Sequence, residues 1–506
     1  MREVVLGADL GTSSIKGVAV TPEGDLLARA HAEYPMHRPH RGWNENDPRD
    51  WLAGLRTVVD GLVRELDGGP ERVRALAIVA QRDPLVLLDA AGEPVAPAIS
   101  WTDQRTALEL TELEGAVGRD RLIEVTGGRP VVGGGLLNVM WARRHEPEAW
   151  ARTRRLAAPK DYLLGILGGR RGTDPTTPTR SIAFDVRAGD WSAEILAAAR
   201  IDAALFDPVG GQAGDRAGEL GPAAAADLGL PVGTPLAIGC ADDHAAAIGS
   251  GATAPGDWSV GTGTCSSWRR VIAGYQPDPE GRFDCSPHAV PGLFIHEATI
   301  DSVGSTLRWF RDELLPGKTY EEILDLAASV PDGAEGAWCL PFVDGAQRAP
   351  WFAPEASAAF LGISGRHTTA HLARAVIESV AYLYVPTYEL MGGDGDEVLT
   401  IVDGEAASGF WNQLKADVLG RPVRTPVVLD AAAMGAAALG AVAAGLHPDL
   451  PTAVEEMIAF RAPIEPDPRR HAAYAERQER FTGLCRAVLA ASAADPAKAP
   501  GAGEQL

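Results

Sequence analysis

Two segments rich in glycine and hydroxyl residues, about 250 residues apart, have the composition of phosphate-binding turns. In the first segment, Gly11, Thr12 and Ser13 interrupt the largely apolar run 4–20. The second segment, residues 261–264, follows another apolar run and consists of alternating glycine and threonine. Turns of this kind direct backbone N–H groups and hydroxyls into one small space, which suits an anion such as phosphate. The two segments therefore predict phosphate binding.

An acidic pair lies between the two turns, where the apolar run 236–241 ends at Asp242 and Asp243. A carboxylate near a phosphate can hold Mg²⁺ or accept a proton from an attacking hydroxyl. Together with the two turns, the pair predicts phosphoryl transfer. His244 beside the pair raises the alternative of a metal site. Because no second His or Cys stands at ligand spacing, we expect a structural role for His244.

Composition and charge exclude several classes of function. At 506 residues the chain exceeds one ordinary core, so at least two large domains are expected. A formal net charge of -22 argues against a nucleic-acid or anionic-membrane partner, since both require a basic surface. The five cysteines have no C-x-x-C spacing, which is typical of a reducing compartment, and the N-terminus lacks a secretory signal. These features predict a cytoplasmic protein.

The longest run of small apolar residues, 431–446, is shorter than a membrane span. Its richness in alanine and glycine predicts instead a buried helix that packs closely against a neighbouring element. No membrane partner is expected.

Apolar runs of strand length alternate with helical patterns, which predicts α/β domains. We expect helices at 48–65, 371–390 and 410–419, the last of them ended by Gly420. A hairpin-like start shortly after Asp242 echoes the start at residue 4, so two related domains are expected. The predicted division is 1–246, 247–489 and an Ala/Pro/Gly-rich tail at 490–506.

The most specific pattern in the chain lies at 358–378. Residues 358–363 end in Phe-Leu-Gly-Ile, and residues 371–378 follow with His-Leu at the start and Ala-Val-Ile-Glu at the end. This pattern resembles the C-terminal signature of the FGGY family of carbohydrate kinases. A second family stretch is recognisable at 138–147, with Asn138 in place of the usual Lys. The resemblance extends over residues 3–485 and implies two actin-like (ribonuclease H-like) ATPase domains that face a central cleft.

The resemblance also implies the cofactors ATP and Mg²⁺ and assigns residues to them. Asp9 would reach Mg²⁺, usually through water. The phosphate groups would be held by Gly11, Thr12, Ser13 and Lys16 in the first turn and by Gly261, Thr262, Gly263 and Thr264 in the second; the adenosine part would contact Gly404, Glu405, Ala406 and Ser408.

Glu405 departs from the family pattern, because its position is usually glycine. A carboxylate near a nucleotide phosphate would repel it unless the carboxylate points away or contacts Mg²⁺ or ribose. Glu405 therefore raises the questions of how tightly this chain holds a nucleotide and which nucleotide it prefers.

The catalytic base of the family maps onto Asp242, which would accept a proton from the sugar hydroxyl during transfer of the γ-phosphate. Asp243 is the alternative. Asp242 is favoured because the family places the base directly after the small residue, here Ala241.

The expected sugar pocket combines two patterns. Gln81, Arg82 and Asp83 follow an apolar run, and a guanidinium beside a carboxylate can hold vicinal hydroxyls, as in glycerol kinases of the family. Trp101 and Asp103 resemble a Trp-x-Asp element of xylulokinase-like members. Trp101 would cover the sugar carbons, and Asp103 would accept a hydrogen bond from a hydroxyl. The structural alternatives are a surface Arg–Asp ion pair and a core tryptophan.

The sequence therefore predicts an ATP-dependent kinase for a small ketose or polyol, and a pentulose such as xylulose is favoured. A glycerol or tetritol kinase is the alternative within that class. A catalytically silent sugar- or nucleotide-binding protein on the same fold, or an actin-like filament former, would be different classes. Family resemblance also implies a possible homodimer.

Overall fold

The computed structural model describes residues 2–493, which form two compact units interleaved along the chain. The first unit contains the residues up to 255 together with 271–295 and 430–459. The second contains 256–270, 296–429 and the residues from 460 onward. The predicted sequence boundary between residues 246 and 247 stays a prediction. Of the predicted tail, residues 490–493 continue a helix, and residues 494–506 lie outside the described residues.

The helices and strands alternate as expected for α/β domains. From the N-terminus through residue 249 the strands are β1 (Val4–Leu10), β2 (Ser14–Val20), β3 (Leu26–Glu33), β4 (Glu45–Asn46), β5 (Val73–Ala80), β6 (Val86–Leu88), β7 (Ala98–Ile99), β8 (Arg155–Ala157), β9 (Phe184–Asp185), β10 (Asp190–Trp191), β11 (Arg216–Glu219) and β12 (Pro235–Ala237). The helices of this part are α1 (Pro48–Arg64), α2 (Ala107–Val117), α3 (Arg119–Thr126), α4 (Gly135–His145), α5 (Pro147–Arg152), α6 (Pro159–Leu167), α7 (Ala193–Ala199), α8 (Pro222–Leu228) and α9 (Asp242–Gly249).

The remaining elements follow in the same alternation. The strands are β13 (Trp258–Thr262), β14 (Ser266–Ala273), β15 (Asp284–Pro287), β16 (Leu293–Ile300), β17 (Trp338–Leu340), β18 (Ala359–Leu361), β19 (Leu399–Asp403) and β20 (Val423–Arg424). The helices are α10 (Gly304–Trp309), α11 (Tyr320–Ala328), α12 (Thr369–Leu390), α13 (Gly409–Leu419), α14 (Ala431–Ala443), α15 (Leu450–Met457) and α16 (Pro468–Ala493).

A six-stranded sheet forms the core of the first unit, in the order β11-β12-β5-β1-β2-β3. The hairpin β1–β2 is antiparallel and places Asp9 opposite Lys16, whereas β5 runs parallel to β1 and places Val79 beside Asp9. β12 also runs parallel to β5. Because β1, β5 and β12 are parallel, the segments that follow them leave the sheet at the same edge. The candidate catalytic residues lie in these segments.

The sheet that begins with β13 repeats this arrangement. Its order is β15-β16-β14-β13-β19-β20, with an antiparallel hairpin β13–β14 and with β19 and β20 parallel to β13 and to each other. The central hairpin and its two parallel neighbours therefore recur in the order seen for β1, β2, β5 and β12. The expectation of a mixed α/β fold with two related sheet-containing domains is confirmed.

The small-residue run after residue 430 forms α14, which packs in the first unit against α9, β1 and β5. A Cβ atom on Gly7 would collide with the carbonyl of Ala433, and one on Gly435 would collide with the carbonyl of Ala245. Glycine is therefore required where backbone approaches backbone. The prediction of a buried, closely packed helix is confirmed. Among the described residues, no helix is long and apolar enough to cross a membrane.

Candidate functional site

The first phosphate-type turn lies at the end of β1. The Gly11 N–H donates to the carbonyl of Ser14 at 3.0 Å, which closes the turn, and the Tyr34 hydroxyl donates to the carbonyl of Gly11. Asp9 precedes the turn on β1 and is partly exposed. The predicted residues of this segment therefore share one sheet edge, and Lys16 lies opposite Asp9 on the returning strand.

Asp242 is the first residue of α9, which begins just after β12. One of its carboxylate oxygens accepts the N–H of Asp243 at 2.9 Å. Desolvation, and then the negative charges of Asp243 and Asp9, raise the pKa of Asp242 well above its usual range. A carboxylate with a raised pKa accepts a proton more readily than an ordinary aspartate, which is what a general base requires.

Asp243 has a different partner. Its carboxylate lies 3.2 Å from the guanidinium of Arg82, which also donates to the Thr179 hydroxyl at 3.2 Å. Arg82 is almost completely buried, so this pairing fixes the direction of its planar head. The geometry favours Asp243 as the residue that orients Arg82, and it favours Asp242 over Asp243 as the base.

Of the sugar-type residues after β5, Arg82 lines a cavity in the first unit. Asp83 lies 3.4 Å from the guanidinium of Arg180, which also contacts Asp284 at 2.7 Å. The side-chain nitrogen and oxygen of Gln81 are buried and have no hydrogen-bond partner among residues 2–493. A buried amide in this state offers both a donor and an acceptor to a polar ligand or to water. The cavity next to these residues is lined by Arg82, Thr126, Arg129, Thr179, Arg180, Asp284 and Ser286, among others.

The lining residues other than Arg82, which include Arg180 and Asp284, were not identified from the sequence. Arg180 follows a Gly/Arg/Thr/Pro-rich stretch that predicts a loop, and the stretch contains no motif that marks a ligand contact. Asp284 lies on β15, far from Asp83 along the chain. Their contact depends on chain folding that a local pattern does not encode.

Trp101 and Asp103 have separate roles. The Trp101 indole N–H donates to the Thr12 hydroxyl at 3.0 Å, which connects the sugar-type loop to the first phosphate turn. The Asp103 carboxylate is fully buried and accepts hydrogen bonds from two guanidinium nitrogens of Arg105 and from the backbone N–H of Asn44. These contacts favour a structural role in which Asp103 holds the loop that carries Trp101, in place of the predicted contact between Asp103 and a sugar hydroxyl.

The second phosphate-type turn lies between β13 and β14. The Gly263 N–H donates to the carbonyl of Cys265 at 2.9 Å, and the Thr264 hydroxyl lies 3.3 Å from the guanidinium of Arg308. The hydroxyls of Thr262 and Tyr384 are 2.9 Å apart. Gly261 pairs with Val402 on β19, so the turn adjoins the predicted adenosine segment in the sheet.

The adenosine-type segment forms a short 3₁₀ turn, Gly404–Ala407, which is followed by Ser408, the N-cap of α13. Glu405 in this turn is buried, and its carboxylate lies 2.6 Å from the Lys415 ammonium and accepts the Tyr384 O–H at 2.8 Å. Burial lowers the pKa of Lys415, and the charge of Glu405 opposes that shift. The expected repulsion of a nucleotide by Glu405 is therefore offset by a buried cation.

His244 has a structural partner. Its Nε2 atom lies 3.0 Å from the Ser286 hydroxyl, and no group of three or more metal-ligating side chains occurs in the part of the chain that the structure describes. The contact with Ser286 is compatible with the structural role expected for His244, which stays a prediction.

Two phosphate-type turns, a carboxylate with a raised pKa and a cavity lined partly by charged side chains are features expected of a small-molecule kinase. The chain belongs to the FGGY family of carbohydrate kinases. The model of the family's N-terminal domain matches residues 4–249, and the model of its C-terminal domain matches residues 258–444. The protein is therefore a sugar kinase that uses ATP, and its fold is the actin-like ATPase fold of this family.

Relatives of known name align along nearly the whole chain. The xylulose kinase of Klebsiella pneumoniae is 30% identical over 488 residues, which is 95% of this chain and 98% of the relative. The autoinducer-2 kinase of Yersinia enterocolitica is 28% identical over 497 residues, which is 93% of this chain and 92% of the relative. The crystal structure of the xylulose kinase from Rhodospirillum rubrum has a TM-score of 0.86 at 29% identity, and the match covers 97% of this chain and 100% of that one.

Proposed function

We propose that this kinase transfers the γ-phosphate of ATP, with Mg²⁺, to a hydroxyl of a small ketose in the cytoplasm, and that the substrate is a pentulose such as xylulose. The observation that supports the proposal most directly is the position of Asp242, which begins α9 after β12 at the sheet edge where Asp9 and the Gly11 turn also lie; burial and the charges of Asp243 and Asp9 raise its pKa. The named relatives support the choice of a pentulose, because several of them are xylulose kinases.

In this proposal Asp242 accepts the proton of the substrate hydroxyl as that oxygen attacks the γ-phosphate. A positioned general base contributes roughly 10²–10⁴-fold to the rate. The N–H groups and hydroxyls of residues 11–13 and 261–264 would hold the phosphate oxygens, and remaining catalysis would come from alignment and charge stabilisation.

Asp9 fits the role of magnesium ligand, because oxygen ligands suit this ion and the negative charge of Asp9 already acts on Asp242. When bound, Mg²⁺ neutralises negative charge on the transferred phosphoryl group. Asp9 would hold the ion directly or through water, next to the turn formed by Gly11 and Thr12.

Substrate recognition would use the cavity beside Arg82. The fixed guanidiniums of Arg82 and Arg180 would donate to hydroxyls, the Asp83 carboxylate would accept, and the unsatisfied amide of Gln81 would do either. Trp101 would cover the carbon face of the sugar. The Arg82–Asp83 pair also suits a glycerol or tetritol, so these polyols stay the alternative substrates.

A screen of ADP release tests the proposal. Purified protein would be supplied with Mg·ATP and, in turn, ketoses, polyols and aldoses, with Asp242→Asn measured in parallel. We expect xylulose to stimulate turnover and Asp242→Asn to lose at least about 100-fold in kcat. Stimulation by glycerol or a tetritol alone would replace the pentulose proposal, and an unchanged rate in Asp242→Asn would refute the base assignment. Light scattering of the same sample tests whether the protein forms the homodimer that the family resemblance implies.

A further inference from the structure

A buried charged cluster lies behind the loop that precedes Asp242, and no step proposed above uses it. Lys160 at the start of α6 lies 2.6 Å from a carboxylate oxygen of Asp161 and 3.1 Å from one of Asp174. Lys160 and Asp174 are completely buried, and Asp161 is nearly so. Burial lowers the pKa of Lys160, but attraction by the two carboxylates outweighs it, so Lys160 stays an ammonium group at neutral pH.

Asp174 uses its oxygens to organise the two threonines that follow it. One oxygen accepts both the backbone N–H of Thr176 at 2.8 Å and its hydroxyl at 2.5 Å. The other accepts the Thr177 hydroxyl at 2.6 Å. The Thr176 hydroxyl has one proton, and that proton is directed to Asp174, so the lone pairs of its oxygen are left to accept a hydrogen bond.

The Thr176 oxygen accepts such a bond from the backbone N–H of Ala241 at 3.0 Å. Ala241 is the N-cap residue of α9, and the next residue is Asp242. The Ala241 N–H lies in the segment between β12 and α9, where it has no intrahelical partner. A rigid, buried acceptor at this point fixes the Cys240–Ala241 peptide, which directly precedes the residue that carries the Asp242 side chain.

We propose that Thr176 and Asp174 are positioning residues for the Asp242 carboxylate, and that Lys160 stabilises Asp174 in this arrangement. The inference rests on the proposed role of Asp242 as the base. Proton transfer requires a base within about 2.6–3.2 Å of the hydroxyl that it deprotonates, so a shift of the Ala241 peptide lowers turnover without removing any group that contacts a substrate.

Thr176→Val is the informative substitution, because it removes the hydroxyl and keeps the shape of the side chain. We expect kcat to fall roughly tenfold, with KM for sugar and for ATP changed less than about twofold. Thr176→Ser retains the hydroxyl and should restore most of kcat. Each rate would be expressed per nucleotide-binding site, counted by titration with a non-hydrolysable ATP analogue, so that a partly unfolded sample does not imitate the effect.

Thr177→Val is the matched control. Thr177 is similarly buried and donates to the same Asp174 carboxylate, but its hydrogen bond to Asp174 does not extend to Ala241. An equal loss of kcat in Thr177→Val, or a failure of Thr176→Ser to restore kcat, would overturn the inference. Hydrogen exchange of the peptide that contains Ala241 is a measurement that does not depend on enzyme activity. We expect roughly tenfold faster exchange of this peptide in Thr176→Val and little change in Thr177→Val.

Asp242→Asn separates this inference from the proposed function. If Asp242→Asn retains activity, the assignment of the base is wrong. If Asp242→Asn is inactive and the two threonine variants behave alike, the base assignment stands and the positioning role is wrong.

Discussion

The buried pair of Glu405 and Lys415 gives a quantitative test of why a carboxylate is tolerated in the adenosine-type segment. Their charged atoms are 2.6 Å apart, and the two side chains are 1% and 0% exposed. Lys415→Met keeps the packing of the long side chain and leaves the Glu405 charge without its cation. Breaking a buried ion pair in this way costs about 3–5 kcal/mol.

That cost translates into a large change in thermal stability. For a unit of the size of the second one, which contains Lys415, a loss of 1 kcal/mol in the free energy of unfolding lowers the unfolding temperature by about 2–4 °C. Lys415→Met should therefore lower the unfolding temperature by roughly 6–20 °C. The uncompensated carboxylate should also raise KM for ATP, and added salt should reduce this effect in part. The measurements are thermal unfolding and steady-state kinetics with ATP as the varied substrate.

The double variant Glu405→Gln/Lys415→Met distinguishes charge from packing. The amide oxygen that Glu405→Gln introduces can still accept the Tyr384 O–H, and no ion is left buried, so the double variant should recover more than half of the lost stability and the KM for ATP. Lys318→Met is the matched control, because Lys318 pairs with Glu322 at 2.7 Å on the surface and should contribute at most ~1 kcal/mol. If the single and double variants are equally unstable, Glu405 does not depend on Lys415 and the reasoning is wrong.

Three further substitutions test the first unit. Asp242→Asn, measured without Mg²⁺, should raise the unfolding temperature at neutral pH. Because the pKa of Asp242 is raised in the folded state, its ionisation destabilises the folded protein as pH rises. The gain in unfolding temperature from Asp242→Asn should therefore shrink as pH falls. Asp103→Asn should destabilise the protein in denaturant unfolding by less than the ~3–5 kcal/mol of a fully broken buried ion pair, because the buried Arg105 keeps Glu45 at 2.8 Å as a partner; a raised sugar KM at unchanged stability would instead restore the predicted sugar contact. Trp101→Phe keeps the flat face and loses the hydrogen bond to Thr12, so kcat/KM should fall about three- to tenfold, and an unchanged kcat/KM would show that this bond is dispensable.

Regular elements could be predicted closely from the sequence. The helix expected at 48–65 is Pro48–Arg64, with the Asp47 side chain as its cap, and the helix expected at 410–419 is Gly409–Leu419, ended by Gly420 in the left-handed conformation. These boundaries depend on caps and on glycine, which act within a few residues. The actin-like fold followed from the family resemblance, because local patterns do not specify which strands become neighbours.

The motif that identifies the family does not identify the site. Glu378 at the end of the signature is buried, accepts the Gly333 N–H at 2.7 Å and pairs with Arg374 at 2.7 Å. Its contacts are structural. Conversely, Thr176 and Asp284 lie in stretches without a recognisable motif. Their partners, Ala241 and Arg180, are distant in sequence, so no local pattern marks either contact. Site residues that act through long-range contacts could not be predicted from this sequence.

The two phosphate-type turns are supported by tyrosines from non-equivalent positions of the two units. A turn that directs its N–H groups toward a phosphate needs its remaining polar groups satisfied from behind. Tyr34 does this by donating its O–H to the Gly11 carbonyl. Tyr384 donates its O–H to the Glu405 carboxylate, so its oxygen accepts a hydrogen bond from the Thr262 hydroxyl. Burial, together with nearby carboxylates, raises the pKa of both phenols, so both stay protonated donors at neutral pH. Tyr34 follows the third strand of its sheet and Tyr384 lies on α12, so the same requirement is met from non-equivalent positions. Strand order can then persist while the residues that support each turn diverge.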